Sequence, residues 1–167
     1  DAIPVDGGAR RCVLTIPDLH FLHYPQFMTP DSRRHYNDQI AWAVRRADAI
    51  LVSSESTRRD LAALLGVPEA KVTVHMLGVD HARFHPLPAA EIASARTRLG
   101  LPDAYLLFVG TFEPRKNIPG LLRAYARLRE RLADAPPLVL AGRRGWLDDA
   151  IYRTAEDLRL GSSVIWL

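Results

Sequence analysis

A single cysteine stands in the 167 residues. Cys12 therefore has no internal partner, which excludes a disulfide framework and leaves the redox compartment open. Its place in an apolar run predicts a buried thiol. Long apolar runs are missing too: none approaches the roughly 20 residues that span a bilayer. So are runs of like charge. The 22 Lys and Arg residues are scattered, and the net charge of +3 reads as a solvated surface with a local anion site, not as a nucleic-acid tail. Neither G-x-x-x-x-G-K-[ST] nor G-x-G-x-x-G occurs, which excludes a Walker loop and the dinucleotide fingerprint. No G-x-S-x-G or Ser-His-Asp arrangement appears. His20 and His23 have no further ligand at metal-site spacing, so a zinc centre is not expected. No repeat of 20–50 residues is present, which excludes a solenoid.

What is present alternates. Of the chain, 48% is hydrophobic and 25% charged, as in ordinary globular proteins. Apolar strands are predicted over residues 11–16, 48–53, 72–75, 105–109 and 137–141, with another starting at 164. Helices are predicted between them. Thr29-Pro30-Asp31 starts one that carries Tyr36, Ile40, Ala43, Val44 and Ala47 on one face. Ser53 or Ser54 caps the next, with Leu61, Leu64 and Leu65 pointing inward and Gly66 closing it. Further helices are expected over 89–99, 118–132 and 147–158. Residues 18–29 read as an irregular loop rich in His, Tyr, Phe and Pro, and residues 76–88 as a crossover. Strands alternating with helices make βαβ units, hence an α/β fold with parallel sheets and flanking helices. Two such halves stand in series, over 1–84 and 85–167, with the crossover beginning near 76.

The stretch LLFVGTFEPRKN, residues 106–117, concentrates the chemistry. A strand expected to be buried passes through Gly110 into a polar loop with Glu113, Arg115 and Lys116, and Asn117 opens a helix. Glycine lets the backbone come close, and a helix start offers unpaired N–H groups and a positive dipole end. The cations add charge-assisted contacts to phosphate oxygens. Glu113 serves either as a partner for Arg115 or as a ligand contact. GRRGW, beginning at Gly142, also follows a strand end, so Arg143, Arg144 and Trp146 are candidates for the same crevice. Asp148 and Asp149 sit at a helix start and read as capping residues. Asp18, at the end of the first strand, reads as a turn residue, a base or a sugar contact.

Five stretches in order, TIPDLHFLHYP, ADAILVSSESTRRDL, LGVDHARFHP, LLFVGTFEPRKNIPGLLRAYARL and LVLAGRRGW, resemble the group 1 glycosyltransferases, and the EPRKN form resembles bacterial mannosyltransferases among them. The resemblance runs from Val13 to the end. It implies a GT-B fold, with two Rossmann-like halves that are each incomplete here, an acceptor-side one followed by a donor-side one. It implies a donor-phosphate contact for Lys116, with Gly110, Thr111, Glu113, Asn117 and Gly142 around it. Thr111 stands where the family pattern has an arginine, and Arg115 is the candidate for the missing guanidinium. Pro17 stands where members often carry histidine, while Asp18 keeps the motif's aspartate. Asp18 and His20 are thus expected on the acceptor or sugar side.

The implied activity is hexosyl transfer, mannosyl by resemblance, from a GDP- or UDP-sugar to a glycan or lipid-linked acceptor, with retention. No cofactor, metal or nucleic acid is expected. A cytoplasmic enzyme with peripheral contact at the inner face of the membrane is the expected setting. The competing reading is a non-catalytic nucleotide- or polyanion-binding α/β module. The chain opens on Asp1, stops inside VIWL and has a polar opening stretch over residues 1–11. It is therefore expected to be an internal fragment without a secretory leader, active only as part of a longer enzyme.

Overall fold

A computed structural model describes residues 11–167. The expectation that the opening stretch is no leader falls almost wholly outside these residues. The chain divides into two compact units, one ending at Phe84 and the other formed by His85–Leu167.

In the first unit, β1 (Val13–Ile16), β2 (Ala49–Val52) and β3 (Val72–Val74) form a parallel sheet in the order β1-β2-β3. The register runs Val13↔Ala49 to Ile16↔Val52, then Ile50↔Val72 to Val52↔Val74. Parallel neighbours need helical crossovers, and the sequence supplies them with clear boundaries. Helix α2 (Pro30–Arg46) starts where Thr29 accepts a hydrogen bond from the Ser32 amide, with Pro30 in the first turn. Helix α3 (Glu55–Leu65) starts where Ser54, not Ser53, accepts from the Thr57 amide, and ends on left-handed Gly66. Ile40, Ala43, Val44 and Ala47 are buried with Ile50, Val52 and Leu61, while Tyr36 is partly buried against them. Leu64 corrects the expected inward face: it is 47% exposed. Cys12 is half-buried against this core, less enclosed than the apolar run suggested.

The stretch after β1 is more ordered than a loop. It folds as a short helix α1 (His20–His23) and a single 3-10 turn at Pro25–Phe27. Phe21 is buried and stacks on Tyr36 with ring centroids 5.2 Å apart. Burying an aromatic side chain contributes about 1.5–3 kcal/mol, enough to fold a segment that has no helical period of its own.

The crossover is irregular from Met76 onward. Asp80 Oδ1 accepts from the amides of Ala82 (3.0 Å) and Arg83 (3.2 Å), closing a local turn. Helix α4 (Ala89–Leu99) ends on left-handed Gly100 and buries none of its residues.

In the second unit, β4 (Leu106–Val109), β5 (Leu138–Ala141) and β6 (Val164–Trp166) are again parallel in sequence order. Helices α5 (Ile118–Arg131) and α6 (Asp149–Asp157) bury Ile118, Leu122, Tyr125 and Ile151 against Leu138, Leu140 and Val164. Tyr125 Oη donates to the carbonyls of Pro136 and Ser163, 3.1 Å each, tying α5 to the loops that lead into β5 and β6. Two expectations fail here. Leu132 lies beyond the helix and is 47% exposed. Strand β4, expected buried, is not: Leu107 is 56% and Val109 71% exposed. Among the described residues it pairs with β5 alone, and only Phe108 among its residues packs on the core that α5 and α6 cover.

Candidate functional site

The carboxyl ends of β4 and β5 stay paired beyond the strands. The Gly110 amide donates to the Ala141 carbonyl at 3.0 Å, and the Phe112 amide to the Arg143 carbonyl at 3.0 Å. The Gly145 amide returns a bond to the Phe112 carbonyl at 3.0 Å, and an isolated parallel bridge links Phe112 with Arg144. The packing admits no side chain at two points. A Cβ on Gly142 would run into the Gly110 carbonyl, and one on Gly145 would come within 2.5 Å of the Phe112 carbonyl oxygen. Gly110 and Gly142, both singled out in the sequence, thus form one backbone contact.

Beyond Gly110 the chain turns through a 3-10 turn at Pro114–Lys116 into α5. Asn117, at φ 49°, takes the left-handed conformation that asparagine tolerates better than most residues. Its side chain lies over Gly120, where a Cβ would sit 2.6 Å from its Nδ2. No side chain caps the first turn of α5, and Pro119 contributes no N–H. The helix start is open to an anion. Lys116 is exposed and folds back over the strand end: its Cε is 3.9 Å from where a Cβ on Gly110 would stand.

The four cations of these loops separate into two kinds. Arg115 donates to Glu113 at 2.5 Å, and the Glu113 side chain is only 4% exposed. Glu113 thus makes the pairing with Arg115 that is one of the two roles read for it from the sequence. Arg144 grips the buried Asp148 with two bonds, Nε to Oδ2 at 2.7 Å and Nη2 to Oδ1 at 3.0 Å, and lies 4.8 Å over the Tyr152 ring. Lys116 and Arg143 have no carboxylate partner among the described residues. Thr111 is half-buried, with its methyl against Gly145.

Asp148 corrects the capping assignment. It stands at the start of α6 without a side-chain cap bond, because Arg144 occupies its carboxylate. The hydrogen bond from Arg144 holds the Asp148 carboxyl below its usual range, with burial opposing and the Arg144 charge adding to the effect. The same pair raises Arg144. A depressed carboxylate contributes stability above its unfolded value, near pH 4, and loses that contribution as pH falls through the lower folded value. Asp148→Asn should therefore lower Tm at pH 7, and melts should show the gap to wild type closing below about pH 4. A gap that stays constant across that range would count against the pair.

In the first unit, Asp18 and His20 come together at the end of β1. Asp18 Oδ1 accepts from the His20 amide at 3.1 Å and pairs with the ring Nδ1. The Pro17 carbonyl accepts from Ser53 Oγ (2.8 Å) and Thr57 Oγ1 (3.2 Å), which fixes where that strand ends. His23 Nε2 lies 3.1 Å from Asp60, a pairing across α1 and α3 that spacing alone did not signal. Among the described residues no group of three His, Cys, Asp or Glu side chains is placed to hold a metal, and no helix is long and apolar enough to cross a membrane.

Comparison with known proteins agrees with this arrangement along almost the full chain. The family model described as Glycosyltransferase Family 4 matches residues 4–83, and the one described as Glycosyl transferases group 1 matches residues 91–167. The chain is 31% identical over 148 residues to O-antigen chain mannosyltransferase B of Escherichia coli, covering 88% of this chain and 39% of that protein. Over 87 residues it is 45% identical to D-inositol 3-phosphate glycosyltransferase of Kineococcus radiotolerans, covering 51% of this chain and 20% of that one. The chain thus spans well under half the length of these relatives. Among solved structures, the Anabaena HepE protein in complex with UDP and glucose superposes with TM-score 0.71 at 18% identity, over 95% of this chain and 41% of that one. A trehalose-6-phosphate protein of E. coli bound with UDP-2-fluoro glucose gives TM-score 0.60 at 15% identity, covering 95% of this chain and 48% of that one. At these identities the structures establish the fold alone. Two adjoining family matches, the mannosyltransferase relatives and the shared GT-B fold lead to one assignment: the chain belongs to the group 1 glycosyltransferases.

Proposed function

We propose that the protein containing this chain transfers a hexosyl group, mannosyl on the strength of the mannosyltransferase relatives, from a GDP- or UDP-sugar to a glycan or lipid-linked acceptor with retention. The observation that carries this reading is Lys116 folded over Gly110, at paired strand ends and beside the uncapped start of α5. Ligands of open α/β sheets bind at the carboxyl ends of strands. HepE, with the same fold, is solved with UDP, which supports a nucleotide as the ligand.

In the reaction, the bond between the anomeric carbon and the diphosphate oxygen breaks. The acceptor oxygen forms the new bond to that carbon and gives up its proton. Negative charge builds on the departing diphosphate. Lys116 and the dipole of α5 oppose that charge, and they do so most strongly where it is greatest, in the transition state. Such a site supplies the countercharge from protein groups and calls for no cofactor. Asp18 and His20 belong to the acceptor or sugar side. Transfer to a lipid-linked acceptor would place the enzyme in the cytoplasm, at the inner face of the membrane.

Titration of the 167-residue chain with UDP, GDP and a short oligonucleotide, at about 50 mM and about 200 mM salt, tests the donor reading. Saturable binding of a nucleoside diphosphate is expected. Binding of the oligonucleotide alone, with steep salt dependence, would identify a polyanion-binding surface instead.

A further inference from the structure

We infer that Arg143, and not Arg115, is the second cation of the diphosphate site. The inference rests on the donor-site reading above and names a residue that reading leaves open. Arg115 is committed to the buried Glu113, and releasing it would leave an unpaired carboxylate that is 4% exposed. Leaving such a charge buried and unpaired is strongly unfavourable, so Glu113 holds Arg115 in place. Arg144 is committed to Asp148 and to the face of Tyr152. Of the four cations on the two strand-end loops, Lys116 and Arg143 remain exposed and without a carboxylate.

Register puts Arg143 where a second cation is wanted. Val109 pairs with Ala141 at the end of β4 and β5, and Phe112 bridges to Arg144 beyond it with the same offset. Thr111 therefore stands opposite Arg143. Arg143 is exposed just past the end of β5, opposite a threonine that carries no charge of its own. The Arg143 carbonyl is held by the Phe112 amide at 3.0 Å, which fixes its backbone. Gly110 and Gly142, in contact with each other, directly precede Thr111 and Arg143 respectively. Lys116 reaches the strand end from the α5 side and Arg143 from the β5 side. A planar guanidinium can hold two phosphate oxygens at once, which suits a diphosphate better than a monophosphate.

Calorimetric titration of the 167-residue chain with UDP, GDP and UMP, on wild type, Arg143→Gln, Arg143→Lys and Arg115→Gln, tests this. Each variant is first checked by thermal melt. Arg143→Gln should weaken diphosphate binding about tenfold, the scale of one charged hydrogen bond, and UMP binding less. Arg143→Lys should recover part of the loss. Arg115→Gln should lower Tm, and its effect on affinity should be smaller than that of Arg143→Gln. Unchanged diphosphate affinity in folded Arg143→Gln, or a larger loss in Arg115→Gln, overturns the inference and leaves the donor site standing. Wild type that binds neither UDP nor GDP removes the donor-site reading, and this inference with it.

Discussion

If the protein containing this chain carries out the proposed transfer, Lys116→Ala in it is expected to lower kcat roughly 100- to 1000-fold, the range seen when one preorganised group facing a developing oxyanion is removed. The direction follows from where the charge is placed and when it is needed. Lys116 has no carboxylate partner among the described residues, so its charge is not spent on the fold. Its Cε lies 3.9 Å from where a Cβ on Gly110 would stand, beside the Phe108 ring and at the strand end that the proposed phosphate site uses. The ground-state diphosphate already carries charge, so some donor affinity will be lost as well. The leaving diphosphate gains more, and the larger part of the loss belongs in kcat. Steady-state kinetics with the donor varied separates the two. A raised KM with unchanged kcat would reduce Lys116 to a uniform binding contact. Unchanged kcat/KM would remove it from the site. Because the residue is exposed, the variant's Tm should stay close to wild type.

How much of this could be read before folding depended on whether the controlling interaction was local. The crossovers of the first unit and the end of α4 were legible because the helices there carry their own boundary signals. Thr29 and Ser54 accept hydrogen bonds from amides three residues on, and Gly66 and Gly100 take the left-handed conformation that ends a helix. The apolar runs that became β2 and β5 were legible for the same reason. Residues 18–29 were not, because α1 exists through Phe21 stacking on Tyr36, a contact with another element. Exposure of Leu107 and Val109 was not legible either. The apolar run of β4 does not announce that, among the described residues, it pairs with β5 alone.

At the site the division is similar. Gly110, Lys116 and Asn117 lie within one loop, and their place at a strand end and helix start could be read from sequence. The choice among the four cations could not. It depends on which carboxylates are buried beside them: Glu113 two residues from Arg115, and Asp148 four residues from Arg144. Either spacing could have served a cap, a surface pair or a ligand contact. Only the burial of both acids shows that two of the four guanidinium and ammonium groups are committed to the fold.

Gly142→Ala tests the coupling of fold and site most directly. A Cβ at this position meets the Gly110 carbonyl, and the carbonyl cannot step aside because the backbone is held on both sides. The Gly110 amide is bonded to Ala141 and the Phe112 amide to Arg143, each at 3.0 Å, while the Gly142 amide donates to Leu167 at 3.0 Å. Relief requires the ends of β4 and β5 to part, breaking bonds in the extended register. Overpacking of this kind typically costs about 1–3 kcal/mol, and more where the obstacle is backbone instead of a movable side chain. Urea unfolding of the 167-residue chain should show that loss in the second unit, with the first unit's transition unchanged. Nucleoside diphosphate affinity should fall with it in the folded protein, because Gly110, Thr111 and Arg143 sit on the strand ends that are forced apart. Wild-type stability in Gly142→Ala would mean that the two glycines do not make the close contact described. Lost stability with intact UDP and GDP binding would place the anion site away from the β4–β5 junction.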